Sequence, residues 1–430
     1  MNHGTQLTDQ TCVNGGEGTA RVSKARAGAS RRPANDWGDP RSARIALLTG
    51  GSDKPYAIGL TNALTAQGIG IEFVGSDELA MPEVLTNRKV NFLNLRGDQS
   101  TNARAIAKVS RITSYYIRLF LFSASTRCKI FHILWNNKFE FFDRTLLMLY
   151  YKLFGKKIVL TAHNVNAGKR DAKDSFGNRL TLKIQYRLSD HIFVHTERMK
   201  SELTGNFQIP QAKISVIPFG INSTVSNTDL STGEAKQRLG IAAADKVLLF
   251  FGQIAPYKGL QYLISAFDEL VKEDKNYRLI IAGKPKWSGA YWTEVKQAIM
   301  ESGVGDRVIE RVEHIPDDET EVYFKAADVL ILPYTDIFQS GVLFLGYNFG
   351  LPAVATDVGS LAEEIVEGET GYVCRPEDPG ALAATIRRYF ESPLFRQLER
   401  SRQLIKKYAE EHYAWSKVGD STTAVYQSLL

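Results

Sequence analysis

Short apolar runs alternate along this chain with longer stretches whose apolar residues recur every three or four positions. From Ala43 the first run is Arg44 to Thr49 (RIALLT), closed by Gly50-Gly51. A continuous apolar run of that length, ended by glycines, predicts a strand buried on both faces of a parallel sheet. Tyr56 to Gly68 follows with helical spacing, then a strand at Ile71 to Val74. Further strands are predicted at Ile130 to Leu134, Lys157 to Thr161, His191 to His195 and Lys213 to Gly220. Helices are predicted at Asn178 to Leu188 and Thr196 to Leu203, with another capped by Asp143 and running to Gly155.

A second series begins at Val247 to Phe251 (VLLFF). Its strands are predicted at Tyr277 to Ala282, Val308 to Val312, Val329 to Leu332, Ala353 to Thr356 and Gly371 to Val373. Its helices are predicted at Leu260 to Val271, Thr293 to Ser302, Val322 to Ala326, from Gly341, at Leu361 to Val366 and at Pro379 to Phe390, with a last one from Pro393 to the end. Between the two series the composition turns to Asn, Ser, Thr and Gly, as in a linker. Strand alternating with helix implies parallel sheets with right-handed crossovers, so the expected class is α/β with two halves of similar plan. The expected division is a disordered tail at 1–42, a first domain at 43–222, a linker at 223–245, a second domain at 246–405 and a final helix at 406–430.

Length and composition agree with two folded domains. A chain of 430 residues exceeds one ordinary core, and 44% hydrophobic with 23% charged residues is a globular balance. Residues 1–40 are rich in Gly, Ser, Thr, Arg and Asn without an apolar centre, which predicts a disordered tail and no secretory signal. Cys12, Cys128 and Cys374 have no paired spacing, so neither a disulfide framework nor a zinc site is indicated. The most apolar stretch, Ser114 to Trp135, is interrupted by Arg118, Arg127 and Lys129 and is not read as a membrane span. A cytoplasmic protein, peripheral on the inner face of a membrane at most, is expected.

Charge divides the halves. Residues 41–222 carry 26 basic against 13 acidic residues, whereas 223–430 carry 22 against 30. A basic half beside an acidic one points to an anionic partner for the first. Lys169, Arg170, Lys173, Arg179, Lys183 and Arg187 lie on or before one predicted helix, and Tyr115, Tyr116, Phe120 and Phe122 surround Arg118. Such a mixture suits an anionic membrane surface, or equally a solvated face. No nucleic-acid motif accompanies it, and no nucleic-acid partner is expected.

Candidate chemistry sits where strands end. Gly252 to Gly259 (GQIAPYKG) joins a buried strand to a helix, and ligands bind at the carboxyl ends of parallel strands. Lys258 in that loop opposes the helix dipole unless an anion is present, which makes it a diphosphate candidate. Ser340 and Gly341, in Pro333 to Gly341 (PYTDIFQSG), open another helix whose free N–H groups suit an anion. Asp336 and Ser340 are read with equal weight as helix caps or as ligand contacts. His163 and Asn164 stand just past the strand Lys157 to Thr161, placed to meet a sugar hydroxyl or an acceptor. His195 occupies the next strand end.

The strings VIPFGIN, FFGQIAPYKGL, ADVLILPY, GLPAVATDVGSLAEEIVEGETGYV and PEDPGALA, in that order, resemble the group 1, or family 4, glycosyltransferases of the GT-B fold. The resemblance is clear over 213–390 and weaker over 43–212. It implies two Rossmann-like domains facing an interdomain cleft, with the last helix, near Trp415, crossing back to the first domain. It implies a nucleotide diphosphate sugar donor in the second domain and a glycan or polyprenyl-diphosphate-linked acceptor in the first, as in bacterial surface or exopolysaccharide synthesis. Retention of anomeric configuration, no bound metal and no cofactor go with it. Lys258 falls on the family's diphosphate lysine, Glu363 on its Glu after the Gly-rich turn, and His163 on its cleft histidine. Donor contacts are thus expected from Gly252, Gln253, Lys258, Asp336, Ser340, Gly341 and Glu363, and catalytic roles from His163 and Lys258. Asn164, Arg118, Arg179 and Lys183 are expected on the acceptor or membrane side.

The chain departs from the family pattern at two places. Gln253 stands where an Arg is usual, with Lys284 and Lys286 as candidate substitutes. The Glu-x7-Glu pair, counted back from Gly350, falls on Ile337 and Leu345. These departures leave two other readings open, a catalytically degenerate partner subunit and a nucleotide-sugar epimerase.

Overall fold

The computed structural model describes residues 44–50, 54–99, 105–166, 168, 174–221, 225–286 and 289–430. The tail expected at 1–42, Gly51, and Lys169, Arg170 and Lys173 lie outside the described residues.

Two sheets form. The first has seven strands: β1 (Arg44–Leu48), β2 (Gly70–Gly75), β3 (Val90–Asn94), β4 (Ile130–Ile133), β5 (Lys157–Thr161), β6 (His191–Val194) and β7 (Ile214–Val216), in the order β3-β2-β1-β4-β5-β6-β7. The second has six: β8 (Lys246–Phe251), β9 (Tyr277–Ala282), β10 (Val308–Arg311), β11 (Val329–Leu332), β12 (Ala353–Thr356) and β13 (Gly371–Cys374), in the order β10-β9-β8-β11-β12-β13. Every pairing is parallel. The strand order reverses between β1 and β4 in one sheet and between β8 and β11 in the other. Such switch points open a crevice at the carboxyl edge, where a ligand enters without displacing a crossover.

The central strands are buried on both faces, as their unbroken apolar runs require: Val247 to Phe250 and Val329 to Leu332 are all inaccessible to solvent. Several elements differ from the sequence expectation. Strand β3 and the long helix Ala105–Ser125 were not expected. Strand β7 ends at Val216, and the polar stretch after it contains a helix, Thr232–Arg238, closed by a Ser231–Glu234 capping box. Asp143 is not a cap. It lies in a π-helical turn (Asp143–Leu147) and accepts a hydrogen bond from the Tyr116 hydroxyl at 2.8 Å.

The chain end returns to the first sheet. After the helix Leu398–Tyr413, the helix Trp415–Leu429 packs on the helix Lys54–Ala66. A Cβ on Gly59 would lie 2.1 Å from the Trp415 ring, so only glycine admits that ring. The Trp415 indole donates to the Ile221 carbonyl at 2.8 Å, and Tyr426 meets Nδ1 of the buried His132 at 2.6 Å. No helix among the described residues is long and apolar enough to cross a membrane.

Candidate active site

A cavity of about 270 Å³ lies where the carboxyl edges of the two sheets meet. Tyr56 and Phe219 of the first half line it, opposite Lys258, Ser340, Gly341 and Leu345 of the second, with Trp415 alongside. Its size is near the lower end of small-ligand sites, roughly 300–1,000 Å³.

Lys258 is held by the β8 loop. Gly259 takes φ 65°, and a Cβ there would lie 1.9 Å from the Pro333 carbonyl, so the loops after β8 and β11 touch only because residue 259 is glycine. Across that contact Lys258 Nζ donates to the Tyr334 hydroxyl at 2.6 Å and lies 3.9 Å from the ring centre. Lys258 is 6% exposed, so its charge is largely removed from water. Ser340 is the N-cap of the helix Gly341–Asn348 but makes no capping bond, and its hydroxyl is 3.3 Å from that of Tyr334. The first amides of that helix therefore have no side-chain partner at its cap, beside a buried cation.

On the facing side the His163 ring stacks on Trp135, 4.2 Å between centres, with Tyr56 edge-on at 4.6 Å. The hydrogen-bond network assigns its tautomer. His195 Nδ1 faces the Ile217 carbonyl at 3.2 Å, and so carries the proton. His195 Nε2 is then an acceptor, and His163 Nδ1, 3.1 Å away, donates to it. That leaves His163 Nε2 with a lone pair; the atom is buried and has no hydrogen-bond partner. Burial holds both rings neutral, pushing His195 down to about 4 and His163 well below the usual imidazole value. A neutral acceptor nitrogen of this kind suits a hydroxyl, but His163 is not among the residues that line the cavity, where Tyr56, packed on it, is.

The other candidates are placed less centrally. Gly252, just past β8, takes φ 104°, and a Cβ there would lie 3.3 Å from Val342. Gln253 and Asp336 are exposed and do not line the cavity. Glu363 is exposed too, and the adjacent Glu364 is buried in its place. Burial pushes Glu364 up to about 7, while Gln339 donates to it at 2.9 Å. Lys284 is exposed, and Lys286 lies 5.3 Å over the Tyr257 ring, lining another hollow. Asn164 is partly buried beside His163. Arg118 is exposed on the helix Ala105–Ser125. Arg179 is paired with Asp174 at 2.6 Å, Lys183 donates to Gln208 at 3.1 Å, and both line a separate surface hollow. Tyr334, Glu364 and the His163–His195 pair were not expected from sequence. Among the described residues no three His, Cys, Asp or Glu side chains converge as metal ligands.

Two parallel Rossmann-like units with a cleft at their carboxyl edges define the GT-B architecture. Solved structures agree: sucrose-phosphate synthase from Thermosynechococcus elongatus superposes over 90% of this chain and 99% of its own, with TM-score 0.71 and 18% identity. The Anabaena protein HepE, in complex with UDP and glucose, superposes over 90% and 100%, with TM-score 0.69 and 14% identity. Family profiles assign the sequence: "Glycosyl transferases group 1" matches residues 245–392 and "Glycosyltransferase Family 4" matches 56–225. The chain belongs to the group 1, family 4 glycosyltransferases. Among curated relatives, D-inositol 3-phosphate glycosyltransferase of Corynebacterium efficiens is 27% identical over 63% of this chain and 65% of its own length. A glycosyltransferase of Methanocaldococcus jannaschii is 28% identical over 56% of this chain and 60% of its own. The match thus spans less than two thirds of these relatives' length.

Proposed function

We propose that the protein is a retaining, metal-independent glycosyltransferase that moves a hexosyl group from a nucleotide diphosphate sugar to a glycan or lipid-linked acceptor. The observation that carries this reading is the cavity in which Lys258 and the N-terminus of the helix Gly341–Asn348 face Tyr56, the ring packed on His163. Charge builds on the leaving diphosphate as the glycosidic C–O bond breaks. A fixed cation and oriented amides in a desolvated site stabilise that charge more in the transition state than in the ground state. His163 Nε2 accepts a hydrogen bond from the sugar. The acceptor hydroxyl forms the new C–O bond on the face the diphosphate leaves, and its proton passes to the departing phosphate oxygen. The HepE complexes with UDP and with UDP-glucose, and the D-inositol 3-phosphate named for the Corynebacterium relative, support a nucleotide donor and a hydroxylated acceptor.

A membrane-linked acceptor in bacterial surface or exopolysaccharide synthesis, met on the cytoplasmic side, is part of the proposal. Ile106, Val109, Ile117 and Leu121 are exposed along the helix Ala105–Ser125, and Leu149, Leu153 and Phe154 are exposed on the neighbouring helix. These apolar positions belong to the half with the basic excess, a combination that suits an anionic bilayer. Flotation with phosphatidylglycerol vesicles at low salt is expected, with release at high salt.

The decisive experiment is a thermal-shift screen against UDP, GDP, ADP and dTDP and their sugar conjugates, because a ligand bound only by the folded state raises its stability. One nucleotide is expected to stabilise strongly, and NMR of the product is expected to show the donor's anomeric configuration. Ile337 and Leu345, both buried where the family carries acids, favour a second reading as a partner subunit without catalysis. No shift with any nucleotide would establish that reading instead.

A further inference from the structure

Gln339 lines the cavity next to Ser340, the N-cap of the helix Gly341–Asn348. Its side chain turns to the short helix Leu361–Glu364, where Nε2 donates to Glu364 Oε1 at 2.9 Å. The backbone ties the same two segments together, since Ser360 N donates to the Phe338 carbonyl at 3.0 Å. Three side-chain atoms at this junction are buried without a hydrogen-bond partner: Gln339 Oε1, Glu364 Oε2 and Ser360 Oγ. Glu364 is 7% exposed, and burial raises its pKa more than Gln339 and the nearby hydroxyls of Tyr413 and Ser360 lower it. Glu363, its neighbour in the helix, adds repulsion. The Tyr347 hydroxyl donates to the Glu364 backbone carbonyl at 2.8 Å, not to the carboxyl. Burial pushes the Tyr347 and Tyr413 phenols far above their usual value, so both are neutral. None of these groups is a cation.

A planar amide and a planar carboxyl joined by one hydrogen bond have a second pair of atoms to offer each other. With Glu364 ionised that pair is two acceptors, Gln339 Oε1 and Glu364 Oε2, and they repel. One proton on Oε2 makes an O–H···O hydrogen bond of it and closes a ring, which satisfies two orphaned atoms at once. The Ser360 hydroxyl has a single hydrogen and can serve only one of them. An ionised Glu364 would also set a negative charge behind the cap of a helix whose N-terminus faces the cavity, opposing any anion there.

We infer that Glu364 is a positioning residue for the donor: as a neutral acid it forms a doubly hydrogen-bonded pair with the Gln339 amide that steadies the Ser340 cap, and binding of an anionic sugar nucleotide is coupled to uptake of one proton from water at Glu364 Oε2. The donor in this inference rests on the glycosyltransferase reading, and the acid–amide pair rests on the two unpartnered atoms. Linkage is reciprocal, so the anion tightens the hold of Glu364 on its proton by the factor by which the proton tightens the hold of the cavity on the anion. Glu364 does this without touching the sugar nucleotide.

The test has two arms, both on the full chain and both against Glu364→Gln, which keeps the two hydrogen bonds as an amide pair and has no proton to exchange. The first arm is the infrared difference spectrum, wild type minus variant, in the region of the protonated carboxyl C=O stretch. That band is expected in the free protein at about pH 6, weakened at about pH 8, and restored at about pH 8 by the sugar nucleotide. The second arm is calorimetric titration in buffers of different ionisation enthalpy. The probes are UDP-glucose, GDP-mannose, ADP-glucose and dTDP-glucose, whose diphosphates do not titrate near neutrality. The wild type is expected to take up protons on binding and to lose about fivefold in affinity from about pH 6 to about pH 8, the effect of a one-unit rise in the pKa of Glu364. Glu364→Gln is expected to show neither. No protonated-carboxyl band at about pH 6, or the same pH dependence in wild type and variant, overturns the inference. No binding of any probe, with the band present, strikes the glycosyltransferase reading and the coupling while the acid–amide pair stands, so the two failures are distinguishable.

Discussion

Lys258→Met separates the function of the buried cation from its cost to the fold. The wild-type ammonium is 6% exposed, one hydrogen bond from Tyr334, and surrounded in the cavity by Tyr56, Phe219, Val342, Leu345 and Trp415. Desolvating a lysine costs several kcal/mol, and the Tyr334 hydrogen bond and the Tyr334 and Tyr257 rings are among the contacts that offset part of it. Met matches the stem's length and is apolar. After the substitution the Tyr334 hydroxyl keeps the Ser340 hydroxyl at 3.3 Å as a partner. The nucleotide-free variant is therefore expected to lie within about 1 kcal/mol of wild type, a Tm change of about 1 °C for a chain of 430 residues. Transition-state stabilisation should fall far more. Loss of one preorganised charge contact to a developing oxyanion costs about 10²–10³ in rate. The assay pairs thermal unfolding of the free protein with release of nucleotide from whichever sugar nucleotide stabilises the wild type. Near-normal turnover in a well-folded variant would refute the reasoning. So would a fall in Tm well beyond that range, because the lysine would then be part of the structure rather than a held-in-reserve charge.

Three further outcomes are expected. Burial lowers His132 to about 3 and His195 to about 4, so each takes up its proton only in the unfolded chain, and stability must fall as pH drops below about 6.5. Between pH 6.5 and 5 each histidine removes about 2 kcal/mol at 1.36 kcal/mol per unit, and His132→Asn should flatten that limb of a pH-dependent urea titration. Burial raises Glu364 to about 7, so the folded state holds a proton that the unfolded state has released, and stability falls as pH rises from about 4.5 to 7. Glu364→Gln should remove that opposing slope, raising stability at pH 8 by up to about 3 kcal/mol; an unchanged slope by calorimetry would place the carboxyl in water. Gly59→Ala must push the Trp415 ring, 2.1 Å from the new Cβ, and is expected to cost about 1–3 kcal/mol, with partial recovery in Gly59→Ala/Trp415→Ala by thermal denaturation.

Strands whose two faces are both buried were legible to the residue. Val329–Leu332 is apolar throughout and Ala353–Thr356 to its last residue, while Tyr277–Ala282 is broken only by the partly buried Arg278, which pairs with Asp245. Strand β3 (VNFLN) was missed because it is the edge of its sheet: Asn91 is only partly buried and Asn94 is exposed, so the run is broken. The helix Ala105–Ser125 mixes β-branched and aromatic residues with Ser110, Thr113 and Ser114, which lowers its propensity; packing of Tyr116, Leu119 and Phe120 overrides this. That Lys258, Ser340 and Gly341 line one cavity was legible because each sits on a strand-end loop, and parallel topology brings such loops together. Pairings across the chain were not. His163 and His195 are 32 residues apart and meet because they follow the neighbouring strands β5 and β6. The choice between Glu363 and Glu364 depends on the rotation of one short helix, Leu361–Glu364, in which neighbours point about 100° apart.

The departures from the family pattern follow a physical division inside the cavity. Leu345, which stands at one lost acidic position, lines the cavity at 6% exposure, and no carboxylate is among the lining residues to oppose Lys258. On the proposed reading, attraction for a diphosphate comes from Lys258 and the helix N-terminus, both of which the loss leaves in place. What the loss changes is discrimination among sugars. A wall that hydrogen-bonds a hydroxyl rejects analogues lacking it by about 10⁴–10⁵, whereas an apolar wall distinguishes a single hydroxyl by only about 10². With Leu345 and Val342 as that wall, sugar choice on the proposed reading falls to cavity shape and to the polar groups that remain in the lining, Gln339 and Ser340 among them. On that reading the chain keeps the part of the site that would supply transition-state charge and gives up part of the site that would read the sugar.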